Sequence, residues 1–356
     1  MRVAIAGAGL AGLAAAAALS RAGHEIRVLE QADGLRASGL AINLWSNATT
    51  LLPGFGIPSD HLPGEPFSRM LMRTAGRDAA CVELPPAGRP HVTVERAELL
   101  SALADVLPAG TVRYGTRCDD VSDLAASYDL VVVADGVHST LRAAVADPPR
   151  RRWQWTVWQA SAEADLPDVP PGACSAVVRP GFYSGIFRLA GRRVTWFAEQ
   201  PARRPGEGRQ LLQDLTNDPD PLLRAVARAT PPERWTQWRV HDIWPGRALH
   251  RGNVVLVGDA AHAMLPTLGQ GACQSLEDAA ALAAALAGTA NLSEALTCYS
   301  AARIRRVRRM VALSRIAALG RRPSPASRVM PGELQVRLMA AAGGPLLRHI
   351  SRPLPG

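Results

Sequence analysis

The chain begins with a pattern that few folds can satisfy. Arg2 to Ala6 reads as a short strand, Gly7-Ala8-Gly9-Leu10-Ala11-Gly12 as a glycine turn, and Leu10 to Arg21 as a helix ended by Gly23. Glu25 to Glu30 reads as a second strand, with Ile26 and Val28 on one face, and Glu30 stands 18 residues beyond Gly12. Strand, G-x-G-x-x-G, helix and closing acid in register form the dinucleotide-binding fingerprint. Gly7 permits the tight turn, Gly9 lets backbone approach a pyrophosphate, and Gly12 lets the helix pack. The helix amino terminus favours phosphate charge. Glu30 is placed to accept from an adenosine ribose hydroxyl and to repel a 2′-phosphate. The fingerprint alone does not separate FAD from NAD.

Two later stretches repeat the strand-then-turn device. Leu130 to Val133 is β-branched and runs into Ala134-Asp135-Gly136, followed by His138, Ser139 and Arg142. Val254 to Val257 is an apolar strand that ends in Gly258-Asp259. A loop carrying Pro266, Gly269, Gln270 and Gly271 follows, and from Ala272 a helix runs to Gly288 with Glu277 and Asp278 near its start. Carboxylates at the carboxyl ends of strands are where open α/β sheets meet ligands.

Together these segments resemble the aromatic hydroxylase family of single-component FAD-dependent monooxygenases. Val240-His241-Asp242-Ile243 resembles its urate hydroxylase branch, and the overall pattern is similar to urate and salicylate hydroxylase-type members. The resemblance implies an α/β fold: an FAD-binding Rossmann-like domain of the glutathione-reductase type, an interleaved, mostly antiparallel substrate sheet, and C-terminal helices. It divides the chain into 1–65, 94–150 and 247–320 for the cofactor, 66–93 and 151–246 for the substrate sheet, and a helical tail at 321–356. It implies that Gly7, Gly9, Ala11, Gly12, Glu30, Arg36, Arg96, Asp135, Gly258 and Asp259 hold FAD. Asp259 takes a ribityl hydroxyl, Pro266 to Gly271 line the flavin ring, and the helix from Ala272 faces its N1/O2 edge. Pro266 and Gly269 are the residues closest to the chemistry, with no acid or base assigned; His138, His241 and His262 are not ranked. The chain departs from the family where Val133, Ala41 and Ser46 replace commoner residues, and where Trp158-Gln159-Ala160 replaces Trp-Arg-Gly, so no carboxylate-binding Arg is carried to that point.

Residues 150–245 have another texture. β-like runs at 155–163, 174–180, 184–189 and 193–199 alternate with Pro and Gly turns, and 208–229 reads as helical. The aromatics gathered here suggest a substrate pocket with Trp158, Tyr183 and Trp196 in its wall. Arg193 is the candidate for an anionic group, with Arg188 and Arg192 beside it. Residues 293–318 read as one long helix bearing Arg303, Arg305, Arg306, Arg308 and Arg309, whose stems pack on the domain. Pro323 and Pro325 break it.

Composition narrows the chemistry. All 40 basic residues are Arg, and there is no Lys. That excludes a lysine phosphate loop, a pyridoxal Schiff base, a Ser-Tyr-Lys dehydrogenase and the lysine-dependent flavin halogenases, although Trp153-Gln154-Trp155 faintly resembles the latter. The net charge of +9 reads as Arg spread over a solvated surface rather than a nucleic-acid face. Five Cys without C-x-x-C spacing argue against zinc and a disulfide framework and suit a reducing cytoplasm. Val3 to Leu19 is too rich in Gly and Ala for a membrane span and lacks the flanks of a signal peptide.

There is no second glycine fingerprint for a nicotinamide. The resemblance therefore implies that NAD(P)H visits as cosubstrate and reduces FAD. O2 then forms a flavin C4a-hydroperoxide that hydroxylates an aromatic or heteroaromatic small molecule. Epoxidation of an olefin, a dehydrogenase or reductase without oxygen insertion, and a non-catalytic flavin binder are the other readings. The nicotinamide preference and the oligomeric state are left open.

Overall fold

The computed structural model describes residues 1–35, 41–58, 62, 64–146, 154–166, 168–201, 207–321 and 330–353. The chain runs β1 (Arg2–Ala6), α1 (Leu10–Arg21), β2 (Glu25–Leu29), β3 (Ala41–Leu44), α2 (Ser46–Thr49), β4 (Glu65–Thr74), β5 (Arg77–Glu83), β6 (His91–Glu95) and α3 (Arg96–Asp105). It continues through β7 (Val112–Arg113), α4 (Ser122–Ser127), β8 (Leu130–Val133), β9 (Gln154–Glu163), β10 (Gly172–Arg179), β11 (Phe182–Arg188) and β12 (Arg193–Pro201). Next come α5 (Glu207–Leu215), α6 (Pro221–Arg228), β13 (Thr236–His241), β14 (His250–Arg251) and β15 (Val254–Leu256). The chain closes with α7 (Asp259–His262), α8 (Gly271–Gly288), α9 (Leu292–Gly320) and α10 (Gly332–Ile350).

Two sheets organise these elements. The smaller has the order β14-β15-β8-β1-β2-β7, and all its neighbours are parallel except β14 and β15. The strands at its centre are buried on both faces, as parallel strands flanked by helices must be. Since β2 lies on one side of β1 and β8 on the other, the strand order reverses beside β1. The carboxyl ends there form a crevice. Gly7, Ala134 and Gly258 follow three adjacent strands, β1, β8 and β15, so the three glycine motifs meet at one edge.

The larger sheet has the order β13-β9-β12-β11-β10-β4-β6-β3, with β5 paired to β4, and only β10 and β4 run parallel among its pairs. Residues 41–44 and 91–95 belong to it, so the boundaries at 65 and 94 cut through its strands. One face carries Ala160, Val194, Trp196 and Ala198 against Leu212, Leu215, Leu223 and Val226 of α5 and α6. The region read as helical over 208–229 holds two helices. Asp220 accepts from the N–H groups of Leu222 and Leu223 and caps α6 at Pro221, a restart that ends the α5 register.

The last two helices cover the other face. The α10 helix is anchored by Arg348 donating to the Glu83 carbonyl (3.0 Å) and by the Arg77–Glu333 pair (2.6 Å), and it contains Pro345. Among the described residues no helix is long and apolar enough to cross a membrane. Arg36, Trp153, Pro323 and Pro325 lie outside the described residues.

Candidate active site

The glycine turn is built by contact. A Cβ on Gly7 would sit 2.5 Å from the Ala134 carbonyl oxygen, and Gly7 holds φ +106°, open to glycine alone. A Cβ on Gly12 would lie 1.9 Å from the Gly7 oxygen, so the helix touches the turn that starts it. Gly9 differs: nothing lies within 4 Å of its Cβ position. The open side of the turn is therefore at Gly9, where α1 begins and its N–H groups favour an anion. Glu30 borders this space. Its two oxygens accept from the N–H groups of Ala8 (2.8 Å) and Ala32 (2.9 Å), and each keeps a lone pair for a sugar hydroxyl.

The neighbouring strand ends supply the rest. Asp135 accepts from Leu141 N–H at 3.4 Å through one oxygen, while its other oxygen is buried without a hydrogen-bond partner among the described residues. Arg142 is buried behind the next loop and donates to the carbonyls of Asp259 (3.2 Å) and Ala260. Asp259 is solvent-exposed, and neighbouring protein crowds around its carboxylate. That crowding raises its carboxyl pKa, opposed by His262, Arg96 and Arg142. Gly258 is fixed at φ +58°, and a Cβ there would meet the Cβ of Ala11 at 2.5 Å. Ala11 thus shapes the cradle by packing. A close-approach glycine, a helix amino terminus, a ribose-height Glu and an unpartnered Asp oxygen on one crevice are the groups that fit FAD.

A cavity of about 280 Å³ opens beyond the loop at Pro266 to Gly269. One wall is that loop with Asn43 and Trp45. The opposite wall is Tyr183, Phe187 and Phe197 from the large sheet, with Met70 and Met72 from β4. The Trp45 Nε1 is buried without a hydrogen-bond partner among the described residues and faces Gly269, whose Cβ position is 3.0 Å away. Tyr183 is buried, and burial pushes its phenol up to about 12. Among the described residues its hydroxyl makes only a weak 4.0 Å contact with the Met70 sulfur.

Of the four expected substrate residues, Tyr183 alone lines this cavity. Trp196 is on the opposite face, stacked on Trp235 at 4.6 Å and donating to Thr230 Oγ1 at 2.9 Å. Trp158 pairs across the ladder with Ala198 and shares that face. Arg193 is paired with Glu95 (2.6 Å), and Arg188 and Arg192 line a separate depression with Asp165. Trp158, Arg193 and Trp196 do not line this cavity: strand alternation turns the tryptophans to the other face, and Glu95 engages the arginine. The cation at the cavity is Arg321. Its guanidinium lies 3.7 Å over the Tyr183 ring, donates to the Thr267 carbonyl (2.8 Å) and pairs with the buried Glu199. Neither Arg321 nor Glu199 carries a motif that would have announced it.

Beneath the loop lies a buried ionic cluster. Glu277 and Asp278 lie inside α8, away from its amino terminus, and are fully buried. Asp278 accepts from Gly258 N–H (2.7 Å), from His262 Nε2 (2.6 Å) and from Arg303 Nε (2.7 Å). Glu277 binds Arg303 (2.5 Å) and Arg306 (2.6 Å) and accepts from Asn47 (2.7 Å). His262 and Arg303 hold the Asp278 carboxyl down at about 2. Gln270 joins the cluster by accepting from Asn47 and Gln274, both at 3.1 Å. Two arginines read as a packing face of α9 thus tie the Gly258 turn to the long helix. Their i, i+3 spacing on one face was the available signal.

A family model described as FAD binding domain matches residues 89–314, and one described as NAD(P)-binding Rossmann-like domain matches residues 5–42. FAD-dependent urate hydroxylase of Klebsiella pneumoniae is 31% identical over 342 residues, covering 88% of this chain and 89% of that protein. Aurachin C monooxygenase/isomerase of Stigmatella aurantiaca is 30% identical, covering 90% of each. The crystal structure of Klebsiella pneumoniae HpxO complexed with FAD and uric acid superposes with a TM-score of 0.83 at 28% identity, over 100% of this chain and 98% of that one.

Proposed function

The chain belongs to the aromatic hydroxylase family of FAD-dependent monooxygenases, and from that premise we propose that it hydroxylates an electron-rich aromatic or heteroaromatic ring held in the cavity beside Pro266 and Gly269. The balance is one ring C–H, O2, NAD(P)H and a proton giving one C–OH, water and NAD(P)+. FAD, when bound, supplies the relay of two electrons from the nicotinamide to O2. The protein supplies grip, orientation and dryness.

The Gly9 turn and the start of α1 would take the pyrophosphate, Glu30 the ribose, and Arg36, Arg96 and Asp135 the neighbouring polar groups. Asp259 would hold the ribityl chain. The loop from Pro266 through Gln270 and Gly271 to Ala272 would carry the ring. Tyr183 is a neutral phenol at working pH, since burial raises it to about 12; it is suited to hold a substrate oxygen by hydrogen bond. The aromatic and methionine wall excludes water. The observation that carries this reading is that one cavity has the cofactor loop as one wall and Tyr183, Phe187 and Phe197 as the other. The division into a cofactor unit and a substrate sheet, a cytoplasmic location and the absence of a nucleic-acid partner belong to the same proposal.

The test is aerobic turnover of the FAD-loaded protein with NADH and NADPH against phenols, hydroxyquinolines and purines. Stimulated NAD(P)H oxidation with one 18O atom from labelled O2 on a ring carbon is expected. A panel-wide failure to stimulate oxidation, with FAD still bound, would end the proposal.

A further inference from the structure

We infer that the cavity selects an uncharged aromatic bearing an aliphatic substituent and rejects aromatic carboxylates. The inference rests on the hydroxylase reading and specifies its substrate. Arg321 is the sole charged residue among the described residues of the cavity wall. Its charge is already matched. Glu199 is 1% exposed along its side chain and Arg321 9%, and the two are ion-paired. The guanidinium also donates to the Thr267 carbonyl and covers the Tyr183 ring. A substrate carboxylate would have to compete with Glu199 for Arg321 and would sit beside that buried carboxylate against like charge. The pair thus presents a hydrogen-bonding but neutral surface.

The α10 wall of the cavity is of another kind. It is formed by Met339, Ala342, Gly343, Gly344 and Leu347, which offer no polar side chain. Ile316 of α9 also lines the cavity and is 60% exposed, so its apolar surface continues out to solvent. Small residues backed by leucine make room for a chain of methylenes, and burying methylenes is favourable. An aromatic head at Tyr183 would place such a chain along α10.

Three probes separate the possibilities on the FAD-loaded protein: 2-heptyl-4-hydroxyquinoline, 4-hydroxyquinoline, and 4-hydroxyquinoline-2-carboxylate. Binding is read from perturbation of the flavin absorption spectrum and, independently, from the shift in thermal midpoint. The heptyl compound is expected to bind at least about tenfold tighter than either of the others. Glu199→Gln, which leaves Arg321 uncompensated, is expected to tighten the carboxylate at least about tenfold relative to the unmodified protein. Should that variant not fold, the comparison of the three probes on the unmodified protein decides. Carboxylate binding equal to or tighter than the heptyl compound overturns the inference and leaves the hydroxylase reading standing. If no probe binds and no aromatic on the wider panel stimulates NAD(P)H oxidation, both fall together.

Discussion

The crevice of the small sheet and the cavity wall of the large one are built by opposite means. In the crevice, backbone does the shaping. Gly7, Gly12 and Gly258 sit where a Cβ would approach other atoms within 1.9–2.5 Å, and each motif is contiguous in the chain. In the cavity wall, side chains do the shaping. They arrive from β3, β4, β5, β11, β12, α9, α10 and the Pro266 loop, and on the strands of the large sheet every second residue faces the cavity. The first design ties function to short local patterns; the second ties it to which way a strand happens to turn.

This contrast can be broken at its foundation by Arg303→Met. Glu277 and Asp278 would lose a shared buried partner, and a loss of about 3–5 kcal/mol in urea unfolding is expected. A loss below about 1 kcal/mol would mean that the cluster does not hold the Gly258 turn in place.

At the seam between the regions, His91 sharpens the comparison through pH. Burial pushes its imidazole down to about 4 from an ordinary 6.5, and its Nδ1 accepts from Ser46 N–H at 2.9 Å. Protonation therefore favours the unfolded chain. Stability should be full above pH 6.5 and fall by about 3 kcal/mol between pH 6.5 and pH 4, a slope that His91→Asn removes. Equal slopes in the two proteins would disprove the assignment.

Gly258→Ala tests the backbone half directly. A methyl 2.5 Å from Ala11 Cβ at φ +58° should cost about 2–3 kcal/mol and weaken FAD retention, measured by flavin released on dialysis. Full retention would show that the crevice tolerates side chains.

The smallest effects come as a pair on one sheet. Tyr183→Phe should lower kcat/KM about tenfold with FAD content unchanged, while Trp196→Phe should cost about 1–2 kcal/mol of stability and leave ligand affinity alone. If Trp196→Phe changes affinity and Tyr183→Phe does not, the two faces have been exchanged.

Legibility in the sequence follows the same divide. The strand from Arg2 to Ala6, the helix from Leu10 to Arg21 and the helix after the Pro266 loop stand where composition places them, because glycine and alternation act locally. The face that Trp158 and Trp196 take is not legible locally, because the phase of β9 and β12 is set by pairing partners many residues distant. Arg321 was invisible for a related reason: its partner Glu199 is on another strand, and nothing in either neighbourhood marks the pair. The break between α5 and α6 was written in Asp220-Pro221, yet the apolar spacing on either side hid it.

Pro345 carries a consequence for the wall of the cavity. It stands within α10 directly after Gly343 and Gly344, and it cannot donate a hydrogen bond to the carbonyl four residues earlier. The helix is pinned near both ends by ion pairing and a carbonyl contact but weakest where it faces the cavity. Local opening is therefore expected first in this stretch of the wall, and amide hydrogens around 341–346 should exchange with deuterium sooner than those of the turns on either side.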